Sequence, residues 1–436
     1  MSSRTVSEAP LLQIRNLGVR FTAAAQQAAA QHAVASVDLE VAAGEVVGLV
    51  GESGSGKSVT AMSIPHLLPP QARLAPESQV RFAGEEILSL PERRVRELRT
   101  HRMGMIFQEP MTALHPTYSI GAQLMEAIRF RQYAHLSARE RVLPGRSLRA
   151  QLRKDAVAWL DRVGIPNASY KLDAYPDQMS GGQRQRVLIA MALTGEPELL
   201  IADEPTTALD VTVQMQILEL LQELQVSYGL AVLFISHDLG VVLRFCDRVY
   251  VMQQGRVVEE GRSDQVLKQP QSDYTVELLD AVRHQPRAAA TQAHPKAAQA
   301  TPDVSAVADS PPPLLKVENL RVAFGRKSWF LRTQQAEVVA VADASFSLGA
   351  AQTLGIVGES GSGKSTLARA LMGLLPTRMQ GRIVWRGQTI SEGSAGYSKA
   401  YRRRVQLVFQ DPFGALSPRL SVAQIVGEGL KVHRRD

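Results

Sequence analysis

The chain has 436 residues, 45% of them hydrophobic, a formal net charge of +7 and one cysteine, Cys246. That length supports about two or three domains with real cores, while a lone cysteine excludes an intramolecular disulfide and a multi-cysteine metal or iron–sulfur site. Met1–Pro10 is polar and no apolar stretch reaches the ~18 residues a membrane helix needs, so neither a secretory signal nor a membrane span is expected. The positive charge admits nucleic acid or an anionic membrane surface, but the arginines are spread along the chain rather than gathered on one segment.

In chain order, Leu11–Phe21 and Val34–Val41 read as strands, and the apolar run Val46–Val50 as a buried one. Gly51-Glu52-Ser53-Gly54-Ser55-Gly56-Lys57-Ser58 follows, a glycine-rich phosphate loop between strand and helix. The glycines let successive N–H groups curl round the β- and γ-phosphates of a nucleotide. Lys57 neutralises phosphate charge, and Ser58 offers a hydroxyl to Mg²⁺. Met103–Gln108 reads as a buried strand ending in a glutamine, and 109–178 as helical, with Trp159, Leu160 and Val163 on one apolar face. Ser180-Gly181-Gly182-Gln183 opens a helix over Arg184–Leu193. The apolar strand Glu198–Glu204 carries Asp203 and Glu204 at its tip. Thr207–Asp210, an amphipathic helix (Val213, Ile217, Leu220, Leu221, Leu224), and a strand Ala231–Ile235 delivering Ser236 and His237 come after it.

The beginning is then written a second time. Leu314–Phe324 repeats Leu11–Phe21, Val338–Leu348 is a second β-rich run, and Thr353–Val357 leads as a further expected strand into Gly358-Glu359-Ser360-Gly361-Ser362-Gly363-Lys364-Ser365-Thr366. Between the copies, 286–313 is dominated by Ala, Gln, Pro and Thr, the composition of a flexible linker. The expected organisation is a complete domain over 1–285, the linker 286–313, and the N-terminal part of a second domain over 314–436 that ends shortly after Gln410. A core of 314–436 without the later central strands is expected to be only marginally stable.

The ordered set of phosphate loop, Gln108, Ser180–Gln183, Asp203-Glu204, Asp210 and His237 resembles the ATP-binding subunits of ABC transporters over about residues 11–280. Met179 departs from that family's usual leucine, a swap of similar volume. Phe107–Pro116, Ala202–Asp210 and Gln269–Thr275 are similar to the oligopeptide, dipeptide and nickel importers. The tandem layout with Phe409–Arg419 is similar to the fused ATPases of Yej-type microcin C and peptide importers, with the glutathione-importer ATPases a near alternative. The resemblance implies an α/β P-loop NTPase with a mixed sheet core, an antiparallel β subdomain and a helical subdomain, in one complete and one partial copy. It implies ATP and Mg²⁺ as cofactors, with Ser58, Asp203 and Gln108, and in the second copy Ser365 and Gln410, near the metal. Glu204 is then the base that polarises the attacking water, His237 the residue that orients it on the γ-phosphate, and Gln108 a sensor of Mg²⁺. Phe21 is a candidate to stack on adenine and equally a packing residue.

The same resemblance implies an ATP-hydrolysing subunit that energises peptide import from the cytoplasmic face of the inner membrane, bound peripherally to two permease subunits that work with a substrate-binding protein. Import rather than export follows because exporters usually carry fused membrane spans. Family nucleotide domains pair head to tail, each ATP lying between one domain's phosphate loop and the other's signature. The second copy as read has no signature, Walker B carboxylates or H-loop, so the expected productive arrangement is a pairing of two first domains across chains. Two readings stand beside this one: a soluble tandem ATPase acting on ribosomes or nucleic acid, and a nucleotide-binding remnant impaired in catalysis. Nucleic acid is not the expected partner, because the linker lacks a long charged helical arm.

Overall fold

A computed structural model describes residues 9–21, 31–108, 113–132, 145–207, 209–283, 313–324, 338–358, 361–375, 379–392, 397–409 and 416–433. The linker residues 286–312, together with Glu359, Ser360 and Gln410, lie outside these. The chain divides into two compact units, Met1–Ala293 and His294–Asp436.

The first unit begins with β1 (Leu12–Phe21), β2 (Gln31–Val41), β3 (Val46–Val50), α1 (Lys57–Ser63), β4 (Ala72–Leu74), β5 (Gln79–Phe82), β6 (Glu85–Glu86), α2 (Glu92–His101) and β7 (Met103–Ile106). It continues with α3 (Ile120–Arg131), α4 (Arg146–Arg162), α5 (Ala168–Lys171), α6 (Gly181–Leu193), β8 (Leu199–Asp203), α7 (Val211–Tyr228), β9 (Ala231–Ser236), α8 (Leu239–Phe245), β10 (Arg248–Gln253), β11 (Arg256–Arg262), α9 (Ser263–Lys268) and α10 (Asp273–Arg283).

The strands form one sheet in the order β6-β5-β1-β2-β11-β10-β3-β9-β8-β7, with β4 also on β1. From β10 to β7 every neighbouring pair is parallel, whereas β1 pairs antiparallel with β2, β4 and β5. The sequences match this division. β3, β8 and β9 are buried at every position, as strands covered on both faces must be. β1 mixes buried and exposed positions and shifts register three times along β2. Helices cover the parallel part. On α4, Trp159 and Leu160 are buried, with the Arg162 guanidinium 4.8 Å from the Trp159 ring centroid. Each such fully buried side chain contributes about 1.5–3 kcal/mol of transfer free energy. The expected mixed core, antiparallel portion and helical portion are all present.

Two expectations shift in detail. β7 stops at Ile106, and Phe107, 45% exposed, and Gln108 lie beyond it rather than within a buried strand. Likewise β8 ends at Asp203, and Glu204 follows in the left-handed region at φ 47°.

The larger correction is in the second unit. Its β12 (Leu315–Phe324), β13 (Val338–Leu348), β14 (Met379–Trp385) and β15 (Gln388–Glu392) form a sheet in the order β13-β12-β14-β15, with α11 (Lys364–Leu371), α12 (Lys399–Arg404) and α13 (Val422–His433). Thr353–Val357, expected as a strand, joins no ladder, and Val357 is 92% exposed. In the first unit the matching β3 lies between β9 and β10, which pair with it on both sides. No described strand of the second unit takes those places, so the apolar run has nothing to pair with or pack under. The core here is a small cluster that includes Val317, Leu320, Leu367 and Ile383.

Candidate functional site

In a parallel sheet all carboxyl ends face one edge, and ligands bind there. Four adjacent strands of the first unit deliver the predicted residues to that edge: β3 leads into Gly51–Ser58, β9 into Ser236 and His237, β8 into Asp203 and Glu204, and β7 into Phe107 and Gln108.

The loop from Gly51 closes on its own lysine. Lys57 Nζ donates to the Gly51 and Glu52 carbonyls, both at 2.8 Å, and lies 3.4 Å from Ser55 Oγ. Gly56, at φ 103°, is the position where glycine is required twice over, since a Cβ would also stand 2.5 Å from the Ala33 carbonyl oxygen on β2. Burial pulls the Lys57 ammonium below its usual pKa, against the opposing pull of Glu204, Asp203 and Glu52. A buried cation with carbonyls as its direct hydrogen-bond partners is poised to exchange them for phosphate oxygens.

Ser58 Oγ donates to Asp203 Oδ1 at 3.1 Å, joining the first turn of α1 to the end of β8. Burial raises the Asp203 carboxyl, the neighbouring Glu204 adds to this, and the bond from Ser58 opposes it. Among the described residues no cluster of three or more His, Cys, Asp or Glu side chains forms a metal centre. A hydroxyl beside one carboxylate is a donor pair that would fit a hard cation taking its remaining ligands from phosphate and water.

Glu204 sits in a turn held by its own N–H donating to the Ile235 carbonyl at 3.0 Å and by the Thr207 N–H donating to the Glu204 carbonyl at 3.1 Å. Thr207 Oγ1 donates to Glu204 Oε2 at 2.7 Å, His237 Nδ1 lies 3.2 Å from the same oxygen, and Gln108 also hydrogen-bonds this carboxylate. Burial alone would raise the Glu204 pKa. The bonds from Thr207, His237 and Gln108 outweigh it, and the net shift is downward. These bonds favour the ionised form of the carboxylate.

Ser180 caps α6, its Oγ accepting from the Gln183 N–H at 3.2 Å while Gln183 Oε1 accepts from the Ser180 N–H at 3.3 Å. A Cβ on Gly182 would lie 2.5 Å from Val213, so only glycine lets α6 approach α7 this closely. Asp210 caps α7 through the Val213 N–H at 3.0 Å. Met179 is buried in the core, as a leucine would be. Phe21 ends β1 half-buried.

In the second unit Lys364 Nζ donates to the Gly358 carbonyl at 2.6 Å and lies 3.5 Å from Ser362 Oγ, and Gly363 has φ 95°. Lys364 and Thr366 are half-buried, Gly361, Ser362 and Ser365 exposed. The loop keeps its local form in a more open setting.

Sequence reasoning missed the roles of Thr207, Ser236 and Tyr274. Ser236 Oγ accepts from the Asp238 N–H at 2.9 Å, and Tyr274 Oη from the Glu52 N–H at 3.1 Å. Thr207 carried a signal, standing three residues after Glu204 in a proline-containing turn. Tyr274 lies in the Gln269–Thr275 segment that entered the resemblance, but nothing in the sequence signalled its bond to Glu52, 222 residues away.

The family model described as ABC transporter matches residues 34–207 and 341–434. The chain belongs to the ABC transporter family. It is 46% identical over 426 residues to the peptidoglycan transport ATP-binding protein YejF of Agrobacterium fabrum, covering 98% of this chain and 72% of that protein. It is 42% identical over 424 residues to the uncharacterized ABC transporter ATP-binding protein YejF of Escherichia coli, covering 97% and 74%. It is 41% identical over 441 residues to the glutathione import ATP-binding protein GsiA of Escherichia coli, covering 97% and 67%. As a member of this family it is a nucleotide-binding ABC-type ATPase. No helix among the described residues is long and apolar enough to cross a membrane.

Proposed function

We propose that the chain hydrolyses ATP at the first unit's site and thereby energises import of peptides through a separate membrane permease. The observation that carries the reading is the meeting of the Ser58–Asp203 pair with the Glu204, Thr207 and His237 group at the ends of neighbouring parallel strands. The loop amides of Gly51–Ser58 and the Lys57 ammonium hold the β- and γ-phosphates. Ser58, Asp203 and Gln108 are the oxygen donors suited to Mg²⁺, which when bound neutralises phosphate charge. Glu204 accepts a proton from the attacking water, a role worth about 10²–10⁴ in rate, and His237 holds that water's target. The signature Ser180, Gly181, Gly182, Gln183 and the neighbouring Asp210 serve a nucleotide held by another nucleotide domain, in a head-to-tail pair that two first units of separate chains also make. Gly358–Thr366 of the second unit, with Lys364 and Ser365, holds a second nucleotide, and Gln410 is by sequence that copy's counterpart of Gln108.

Two permease subunits and a substrate-binding protein complete the transporter, with this chain on the cytoplasmic face of the membrane. Exposed Phe107, beside Gln108, borders a cavity of about 140 Å³ that Arg99, Met103 and Arg131 also line, a socket for a permease loop next to the site. The cargoes after which two relatives are named, peptidoglycan and glutathione, both contain short peptides, which supports a peptide-class cargo.

The test is the specific ATPase rate against protein concentration, with Glu204→Gln as the blank. A rate that climbs with concentration and vanishes in the variant supports hydrolysis by paired first units, and a flat rate equal to the blank refutes it. ATP-dependent uptake of a labelled tripeptide into vesicles holding the permease and binding protein tests import, and uptake that survives Glu204→Gln refutes that part.

A further inference from the structure

α10 and the turn before it follow β11 and α9, beyond every motif of the nucleotide site, yet they reach back to the phosphate loop. Tyr274, in the first turn of α10, is 7% exposed, and its Oη accepts a hydrogen bond from the Glu52 N–H at 3.1 Å. The Glu52 carbonyl accepts from Lys57 Nζ at 2.8 Å. One residue of the loop is therefore held on its amide side by Tyr274 and on its carbonyl side by the lysine that meets phosphate.

The seat of Tyr274 is itself built. Glu259 on β11, 8% exposed, accepts from the Gln271 N–H at 2.9 Å through Oε1 and from the Ser272 N–H at 3.0 Å through Oε2. These are the two residues just before α10. A buried carboxylate with both oxygens engaged by backbone amides fixes a turn firmly. Tyr274 and Leu279 then bury α10 in the same core as Leu239 and Val242 of α8.

We propose that Tyr274 is a positioning residue for the phosphate loop, and that residues 269–283 form a strap, clamped by Glu259, which sets nucleotide affinity. The inference rests on the reading of Gly51–Ser58 as the phosphate site. Without the Tyr274 hydroxyl the Glu52 amide loses its partner and the loop spends less time in its binding form. Apparent affinity falls by that lost fraction. Once nucleotide is bound the phosphates hold the loop themselves, so the chemical step is little changed.

The experiment uses the full chain, with Tyr274→Phe keeping the buried ring and removing only the hydroxyl. ADP titrated by calorimetry is expected to bind about three- to ten-fold more weakly, the size of one net hydrogen bond. KM for ATP is expected to rise in step, with kcat within about two-fold of the unsubstituted chain. Unchanged ADP affinity, or a fall in kcat at constant KM, overturns the proposal.

Glu259→Gln, which removes one of the two acceptors, moves affinity in the same direction and carries the test alone should Tyr274→Phe not fold. In the double variant the effects do not add, because Glu259 acts through Tyr274. Additive losses overturn the strap. Lys57→Ala separates the two readings: if it leaves ADP affinity intact, the phosphate-site reading falls. If it abolishes binding while Tyr274→Phe and Glu259→Gln bind normally, only the strap falls.

Discussion

Replacing Glu204 with glutamine tests the chemistry with little change of shape. The Glu204 carboxylate is largely enclosed, takes bonds from Thr207 Oγ1 and His237, and belongs to a turn whose closure is made by backbone groups. A glutamine keeps an oxygen for Thr207 and leaves those backbone bonds alone, so the turn and the phosphate loop persist. What it loses is the capacity to take a proton, worth about 10²–10⁴ in kcat. At 1.36 kcal/mol per decade this is a barrier increase of about 3–5 kcal/mol. ADP affinity depends on Gly51–Ser58 and is expected to stay within about two-fold. The assay is single-turnover hydrolysis at saturating ATP, run beside ADP titration. A fall in rate of less than about ten-fold would show that Glu204 is not the base. Loss of ADP binding together with rate would show that the carboxylate supports the loop instead.

The pH profile follows from the same bonds. Thr207 and His237 lower the Glu204 pKa against burial, so the ionised form survives further into acid than for an ordinary glutamate. In Thr207→Val one lowering bond is gone and burial gains weight, so the acid limb of kcat moves to higher pH; an unmoved limb contradicts the assignment. Asp203 runs the other way, since burial raises its folded pKa above the unfolded value. Its charge therefore weakens folding at every pH above the unfolded value, and that cost fades as pH drops through the folded pKa. Asp203→Asn is accordingly expected to stabilise the nucleotide-free chain by about 1 kcal/mol while abolishing metal-dependent hydrolysis; a lower melting temperature at neutral pH refutes this. Hydrogen exchange separates the two apolar runs, with Val46–Val50 amides protected by ladders on both sides and those of Gly355–Val357 exchanging quickly. Equal protection contradicts the picture of the second unit.

Much of the site was legible because its parts are local. A glycine loop between an apolar run and a helix, a Ser180–Gln183 capping pair, and carboxylates at the tip of an apolar strand each state their conformation within a few residues. Their order along the chain carried the resemblance to the ABC family. Less legible were the bonds that link distant segments, such as Ser58 to Asp203, Gln108 to Glu204 and Tyr274 to Glu52. No periodicity encodes which strand will neighbour which.

The two copies of the loop mark the division most clearly. Sequence alone determined the local turn at Gly51–Ser58 and at Gly358–Ser365, since in both the lysine folds back onto the first glycine's carbonyl and the glycine before it takes a left-handed φ. It equally made Val46–Val50 and Thr353–Val357 apolar. Only the tertiary structure decided that the first is a fully buried central strand and the second an unpaired segment with Val357 92% exposed. The physical reason is that a strand's hydrogen bonds and its burial are both supplied by other segments. β9 and β10 supply them to one copy, and no described strand supplies them to the other.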